Sequence, residues 1–228
     1  MTWTLDRIAL VIGILAFGVA GVAAFQYVQK PTNQPPAQLS QQQISDVIVA
    51  NQTELLHSPN DPVLGNPDGD VTLVEFFDYT CTYCKAMHPA IMQLLKDDPK
   101  LRYVAKEYPI LGPVSTFAAQ AALAALKQGQ YPAFSSALMA ARGLNKDTVM
   151  SIAAASGLDP VQLKNDMATF KEEINATLDL NFALAKAIAL KGTPAFIAGQ
   201  TLIAGAPSVA GLKKLVEQGR MNAHPRAR

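Results

Sequence analysis

The chain has 228 residues, half of them hydrophobic, and a net charge of +1 at pH 7. This length allows one large domain, or one domain with an insertion, and the apolar fraction is sufficient for a sizeable core. Because the charge is nearly balanced and no cationic block is present, the composition excludes nucleic-acid binding through a basic patch.

The first predicted element is an apolar segment from Ile8 to Phe25, which contains no charged or strongly polar residue. A helix needs about 20 such residues to span a bilayer, whereas the apolar part of a cleavable signal peptide has about 7–15. The length therefore favours an uncleaved membrane anchor within residues 1–28. A signal peptide cut near Val22 to Ala24 is the alternative. Either segment would carry the remaining chain across a membrane, where disulfide chemistry is permitted.

Residues 29–61 are predicted to form a linker and a short helix. Proline and glutamine dominate residues 29–43, which is typical of an extended tether. Ser40 is expected to cap one helix ending near Leu56. Its partial apolar stripe is expected to pack on its own domain, although a second copy of the chain, and hence a homo-oligomer, is the alternative. Residues 58–70 have the composition of turns.

Strand and helix patterns then alternate. The run from Val71 to Phe77 is apolar enough for a strand buried on both faces. A helix is predicted from Cys81 to about Asp97, with a kink at Pro89. A second strand is predicted from Leu101 to Tyr108. These three elements form a β-α-β unit.

An all-helical block of about 80 residues follows, and a β-β-α unit completes the chain. Five helices are predicted in the block: Ser115 to Lys127, Pro132 to Ala141, Asn145 to Gly157, one starting at Asp159-Pro160, and Phe170 to Leu190. The last unit consists of strands at 195–198 and 201–204 and a helix from Ser208 to about Gly219. We therefore predict an α/β fold whose halves, residues 62–112 and 193–220, are separated by a helical insertion at 113–192. The tail at 221–228 is expected to fray.

The only two cysteines lie together in Cys81-Thr82-Tyr83-Cys84, at the predicted start of a helix. Two thiols at this spacing lie on one helix face and can bond to each other. The unpaired N–H groups and the dipole of the helix stabilise a thiolate at the first cysteine, and the thiolate is the reactive form. Such a pair is suited to disulfide exchange with other proteins.

Other functions of this motif have weaker support. A structural disulfide across so short a loop removes little entropy from the unfolded chain. A zinc site, or a non-enzymatic site for zinc or copper, would use Cys81, Cys84 and His88, which are few ligands for one chain. Haem attachment needs a histidine where Lys85 stands. His88 itself is expected to be a partly exposed helix residue.

Two segments resemble a known family. Phe76 to Cys84, together with Gly192-Thr193-Pro194-Ala195-Phe196, resembles the DsbA-like branch of the thioredoxin superfamily. The resemblance covers residues 62–219, and the chain is most similar in appearance to membrane-anchored or ScsC-type proteins of bacterial envelopes. It implies a thioredoxin fold with an inserted helical domain, preceded by an N-terminal transmembrane helix.

The resemblance also implies a role for individual residues. Cys81 matches the exposed nucleophile and Cys84 the buried resolving cysteine. Pro194 matches a cis proline that faces the disulfide, and Thr193 matches the residue whose backbone pairs with bound substrate. Glu75 matches a buried acid of the central strand. Thr82 and Tyr83, between the cysteines, are expected to contact substrate and to influence the redox potential.

Glu75 also stands out without the resemblance. A carboxyl group in an apolar central strand is costly to bury in its charged form, so we expect its pKa to be raised. It could then relay a proton to or from Cys84. A structural ion pair with Lys106, one strand over, is the alternative.

The resemblance implies a thiol–disulfide oxidoreductase of the bacterial cell envelope. The catalytic domain would lie on the periplasmic side, tied to the inner membrane through residues 8–28 or secreted after signal cleavage. It would act on cysteine-containing proteins without a cofactor, and an envelope redox partner would reset the cysteine pair. Tyr83 and the Thr193-Pro194 pair look more like isomerase and ScsC-type members, so an isomerase or reductase (ScsC- or DsbG-like) is the alternative to an oxidase. A membrane-tethered scaffold with an inert disulfide is a further one.

Overall fold

A computed structural model of the protein describes residues 39–223. The predicted anchor at 8–28, most of the tether and the end of the tail lie outside this range. The elements are α1 (Gln41–Ala50), α2 (Gln52–His57), β1 (Val63–Gly65), β2 (Val71–Phe77), α3 (Thr82–Asp97), β3 (Leu101–Glu107), α4 (Pro113–Ala124), a 3-10 turn (Ala125–Gln128), α5 (Tyr131–Ala140), α6 (Lys146–Ala155), α7 (Pro160–Thr169), α8 (Lys171–Ala187), β4 (Ala195–Ala198), β5 (Thr201–Ala204) and α9 (Val209–Ala223).

The five strands form one mixed sheet in the order β1-β3-β2-β4-β5. The central strands β2 and β3 are parallel, as the β-α-β prediction requires, and β4 pairs with β2 antiparallel. β1 pairs antiparallel with β3. It lies within the segment for which only turns were expected, so that part of the prediction was incomplete.

Each face of the sheet is covered by its own set of apolar side chains. On one face, Leu73 and Phe77 of β2 pack against α3, α9 and the insertion. On the other face, Val74 and Phe76 pack against α1, α2 and α8. Since successive residues of a strand point to opposite faces, the predominantly apolar sequence of β2 is what a strand covered on both sides requires.

The helix boundaries follow from local chemistry. The Ser40 hydroxyl accepts a hydrogen bond from the Gln43 N–H at 3.2 Å, and the Gln43 side chain accepts one from the Ser40 N–H at 2.8 Å, which caps α1 as predicted. The single helix expected from Ser40 to Leu56 is instead divided at Asn51. The Asn51 side chain donates to the Val47 carbonyl at 2.8 Å, one of the groups at the end of α1.

The insertion packs around α4, whose alanines, among them Ala118, Ala121 and Ala122, are fully buried. Small side chains let neighbouring helices approach closely, and α4 contacts α5, α6, α7 and α8. Within residues 39–223, none of the helices is both long and apolar enough to cross a bilayer.

Candidate active site at the start of helix α3

The two cysteines lie at the start of α3, just after the loop that connects strand β2 to this helix. Cys81 is the N-cap residue of α3, with extended backbone angles, and its side chain makes no capping hydrogen bond. The first turn of the helix, with its unpaired N–H groups, therefore begins directly beside the sulfur. Cys84 lies one turn further on, and both residues are unbonded thiols in this structure.

The expectation that Cys81 is exposed is wrong, since only 6% of the residue is accessible to solvent. Its Sγ donates a hydrogen bond to the carbonyl of Thr193 at 3.3 Å. Thr193 precedes Pro194, and the bond between these two residues is cis. The loop that precedes β4 thus lies against the first thiol, although more than 100 positions separate them in the chain.

Cys84 is completely buried. Burial raises the pKa of its thiol far above the ordinary value, and the negative charges of Glu75 and Cys81 act in the same direction. A thiol in this environment stays protonated until a base takes its proton.

Glu75 projects from β2 into the same core and is 1% exposed. Burial raises its pKa to about 8, although a hydrogen bond from the Tyr103 hydroxyl to Glu75 Oε2, at 2.5 Å, opposes the shift. Lys106 does not pair with Glu75, which corrects the structural alternative. It lies on the opposite face of the sheet, where its ammonium group bonds to the carboxylate of Asp61 and to the Glu54 carbonyl.

The loop before Cys81 is fixed by a second buried acid, Asp78. Its Oδ1 accepts from the N–H and the hydroxyl of Thr80, at 2.7 and 2.9 Å, and its Oδ2 accepts from the Leu111 N–H at 3.0 Å. The Thr80 hydroxyl also bonds to that of Ser115 in α4 at 2.7 Å. These bonds tie the loop of Cys81 to the start of the helical insertion.

Lys85, directly after Cys84, makes a further link to the insertion. Its ammonium group donates to the carbonyls of Leu138 and Ala141, at 2.8 and 2.7 Å, and so caps the end of α5. Burial lowers the pKa of Lys85, while the negative charge of Asp78 opposes the shift, as does a thiolate at either cysteine. A positive charge thus lies close to the two thiols.

The remaining predicted residues are placed as follows. Thr82 and Tyr83 are exposed beside the thiols, Tyr83 to 66%. His88 is half-buried, and its Nε2 bonds to the Ser136 hydroxyl at 3.1 Å. Within residues 39–223, no group of three or more His, Cys, Asp or Glu side chains is arranged to hold a metal ion.

A cleft of about 280 Å³ opens at the other end of β2, between α2 and the end of α9. None of the predicted site residues lines it. No role was predicted for Asp78, Tyr103 or Glu107, which the structure places around the site. Glu107, like Glu75, is an acid in a predicted strand, and that pattern is the signal that could have identified it.

Comparisons with known proteins agree with this geometry. The thioredoxin family model matches residues 57–218. A thioredoxin-like oxidoreductase from Silicibacter pomeroyi DSS-3 is 44% identical, with a TM-score of 0.72 over 75% of this chain and 98% of that one. The thiol-disulfide exchange protein alpha-DsbA2 from Wolbachia pipientis is 28% identical, with a TM-score of 0.74 over 78% of this chain and 96% of that one.

Two further matches extend the comparison. A periplasmic thioredoxin-like protein from Salmonella enterica serovar Typhimurium is 29% identical, with a TM-score of 0.68 over 75% of this chain and 96% of that one. A curated relative named Na(+)/H(+) antiporter NhaA 1, from Salinispora arenicola, is 31% identical over 139 residues, which is 60% of this chain and 21% of that protein. The chain thus spans about a fifth of the length of this curated relative. The family match covers well over half of the chain, and together with the sheet order and the thiol pair at the start of α3 it shows that this protein belongs to the thioredoxin family.

Proposed function

We propose that this protein is a thiol–disulfide oxidoreductase of the bacterial cell envelope that exchanges disulfides with substrate proteins through Cys81 and Cys84. The observation that carries the proposal is the asymmetry of the two thiols. Cys81 lies at the start of a helix, keeps 6% of its surface accessible and has its sulfur 3.3 Å from the Thr193 carbonyl, whereas Cys84 is completely buried.

The reaction needs only groups that the chain supplies. The Cys81 thiolate attacks a substrate disulfide, forms a mixed disulfide and releases one substrate thiolate. Cys84 then loses its proton to the Glu75 carboxylate and attacks the Cys81 sulfur, which forms the Cys81–Cys84 disulfide and releases the second substrate thiolate. Two electrons pass from the protein to the substrate, and the reverse sequence oxidises a substrate.

Glu75 is suited to both directions. Because its pKa is about 8, a fraction of the side chain is ionised near neutral pH and can accept the proton of Cys84. The protonated fraction can return a proton when the disulfide is opened from outside. A carboxyl group with an ordinary pKa would be a weaker base for this thiol.

Substrate would bind along the surface around Cys81. The proposal assigns backbone pairing to Thr193 and apolar contact to Tyr83, with Pro194 and Thr82 shaping the groove. Tyr83 is 66% exposed, and Leu111, in the loop before α4, is 55% exposed. Both are large side chains that a bound protein segment could cover.

The envelope location rests on two observations. The apolar segment at 8–28 is long enough for an anchor or an export signal, and the matched Salmonella protein is described as periplasmic. In that compartment a redox partner would reset the cysteine pair after each cycle.

An isomerase or reductase is the second candidate, because Thr82 and Tyr83 replace the histidine-containing dipeptide of the oxidase motif. Trapping of free thiols in intact cells distinguishes the two directions. A pair that is mostly oxidised at rest indicates an oxidase, and a pair that is mostly reduced indicates an isomerase or reductase.

Insulin reduction by the purified protein tests the function itself. We expect activity in the wild type and none in Cys81→Ser. Activity that survives this change would contradict the proposal. Failure of the wild type to reduce insulin, combined with stoichiometric metal binding by the reduced protein, would favour the metal-site alternative.

A further inference from the structure

A second carboxyl group is buried on the same face of the sheet as Glu75. In the parallel pairing of β2 and β3, Glu75 lies opposite Ala105 and Phe77 lies opposite Glu107. Alternate residues of a strand share a face, so Glu75 and Glu107 project into the same core. Both residues are 1% exposed, and Oε1 of Glu75 and Oε2 of Glu107 have no hydrogen-bond partner among residues 39–223.

The second carboxylate oxygen of Glu107, Oε1, accepts hydrogen bonds from two tyrosines. Its Oε1 accepts a hydrogen bond from the Tyr79 hydroxyl at 2.7 Å and one from the Tyr131 hydroxyl at 2.8 Å. Its main-chain carbonyl accepts a third, from the Asn181 amide at 3.1 Å. All of these groups are buried.

These partners belong to three different parts of the molecule. Tyr79 lies in the loop after β2, two residues before Cys81, whereas Tyr131 is the first residue of α5 and Asn181 lies in α8. Glu107 therefore provides a second link, besides the Thr80–Ser115 bond, between the loop of Cys81 and the helical insertion.

Glu107 can also change its charge in the pH range of the reaction. Burial raises its pKa to about 8, the hydrogen bonds from Tyr79 and Tyr131 oppose the shift, and the negative charges of Asp78 and Glu75 add to it. The titratable groups facing Glu107 are Tyr79, Tyr131, Asp78, Glu75 and Tyr103, and Glu75 is faced in addition by Cys84 of α3. The negative charge of Glu75 thus disfavours ionisation of Glu107, and because a charge–charge interaction is mutual, an ionised Glu107 disfavours ionisation of Glu75.

We propose that Glu107 is a positioning residue of the thiol site. It anchors the loop of Cys81 to the insertion through Tyr79 and Tyr131. Its charge controls how readily Glu75 takes the proton of Cys84. This inference rests on the proposed exchange reaction. A purely structural Glu107 would affect stability and leave the pH profile of the Cys84 step unchanged.

The direction of the effect follows from electrostatics. An ionised Glu107 makes ionisation of Glu75 less favourable, so Glu75 holds its proton to higher pH. Glu107→Gln keeps an oxygen that accepts from both tyrosines and removes the charge. Glu75 should then ionise at lower pH, and the Cys84 step should reach half its maximal rate at lower pH.

The reaction of the reduced full-length chain with one equivalent of 5,5′-dithiobis(2-nitrobenzoate), followed by stopped-flow absorbance, separates the two steps. Attack by Cys81 releases the first thionitrobenzoate, and attack by Cys84 on the mixed disulfide releases the second. We expect Glu107→Gln to shift the pH profile of the second phase by at least about 0.3 pH unit to lower pH, a roughly twofold faster rate on the acid side. The exposed Glu172→Gln is the matched control and should leave the profile unchanged.

The outcomes are separable. If the pH profile of Glu107→Gln superimposes on that of the wild type, the role of Glu107 is overturned. The same holds if Glu107→Gln shifts the pH profile equally when Glu75 has already been replaced by Gln. Neither result affects the exchange reaction itself. Absence of a second release in the wild type overturns the exchange mechanism itself. If Glu107→Gln does not fold, Tyr131→Phe removes one bond that lowers the pKa of Glu107 and should shift the profile in the same direction. An unchanged profile in that folded variant also overturns the proposal.

Discussion

The two sulfur atoms of the active site differ most in what surrounds them. Cys81 lies at the N-cap of α3 and keeps a small accessible area, whereas Cys84 is fully enclosed. Burial also raises the pKa of Cys84, which keeps its thiol protonated. The chemical asymmetry of the pair therefore comes from their positions, one helical turn apart.

This asymmetry predicts the order of alkylation in the reduced protein. Iodoacetamide at neutral pH should modify Cys81 well before Cys84, because the thiolate is the reacting form and Cys84 is both buried and protonated. Peptide mass spectrometry after short exposure measures the order. The same reaction in denaturant is the control, and there the two thiols should react at similar rates. Faster labelling of Cys84 in the folded protein would reverse the role assignment.

The sequence indicates which polar residues will be buried in an apolar environment, but it does not indicate which residues they contact. Glu75 stood out because a carboxyl group interrupts an apolar strand, and its raised pKa was predicted. The pairing with Lys106 failed because residues 105 and 106 of β3 point to opposite faces. Tyr79 and Tyr131 are brought to Glu107 from separate segments, and local pattern carries no information about such contacts.

At the scale of elements, strands and helices with long sequence patterns were predicted better than short ones. β2 and β3 follow from seven-residue runs, and Asp159 caps α7 as expected. β1 has only three residues, set among turn residues, and takes its place by pairing with β3. The break between α1 and α2 lies at Asn51, which no glycine or proline marks.

The end of α9 shows that a glycine near the end of a predicted helix does not always terminate it. The helix was expected to end near Gly219, yet it continues to Ala223. A Cβ at Gly219 would lie 2.7 Å from the Cβ of Ala198 and 3.1 Å from the main-chain nitrogen of Gly199. This glycine permits close packing of the helix on the β4–β5 hairpin and does not act as a cap.

Gly219→Ala should therefore destabilise the protein by about 1–3 kcal/mol, since strand backbone cannot easily move aside. Gly211→Ala on the same helix is the matched control. There a Cβ would meet only side-chain atoms, at 3.4 Å, and the change should be neutral or stabilising by up to about 1 kcal/mol. Urea denaturation measures both, and equal effects of the two substitutions would contradict the packing argument.

At the scale of the whole molecule, the thioredoxin halves and the insertion meet around the thiols. Lys85 caps α5, Thr80 bonds to Ser115 in α4, and Glu107 bonds to Tyr131. The order of strand and helix patterns predicted a helical insertion, but nothing in the sequence indicated where it touches the site. The contacts suggest that the insertion helps to fix the geometry of the active-site loop.

Burial of Glu75 and Glu107 makes the stability of the molecule depend on pH. Both acids have folded-state pKa values of about 8, above the ordinary value of 4.5. The folded state therefore binds more protons than the unfolded state between these values. Their contribution is fully present below about pH 4.5 and is lost as the pH rises through about 8.

We expect each acid to lower the free energy of unfolding by up to about 1.4 kcal/mol per pH unit across this window. In Glu107→Gln, the free energy of unfolding should decrease less steeply with pH, because the contribution of one acid is removed. Urea denaturation of the wild type, Glu107→Gln and the exposed control Glu172→Gln at several pH values between 5 and 8 measures the difference. Since other titrating groups are common to all three proteins, a slope in Glu107→Gln equal to that of the wild type would contradict the raised pKa.

The central claim is that Cys81 attacks and Cys84 resolves, and covalent trapping tests it most directly. The purified Cys84→Ala and Cys81→Ala variants are each mixed with a disulfide-containing protein, and the intact mass is measured under non-reducing conditions. The account predicts a persistent mixed disulfide through Cys81 in Cys84→Ala, because no second thiol remains to release it, and little or none in Cys81→Ala. A stable complex formed by Cys81→Ala alone, or none with either variant, would contradict the account.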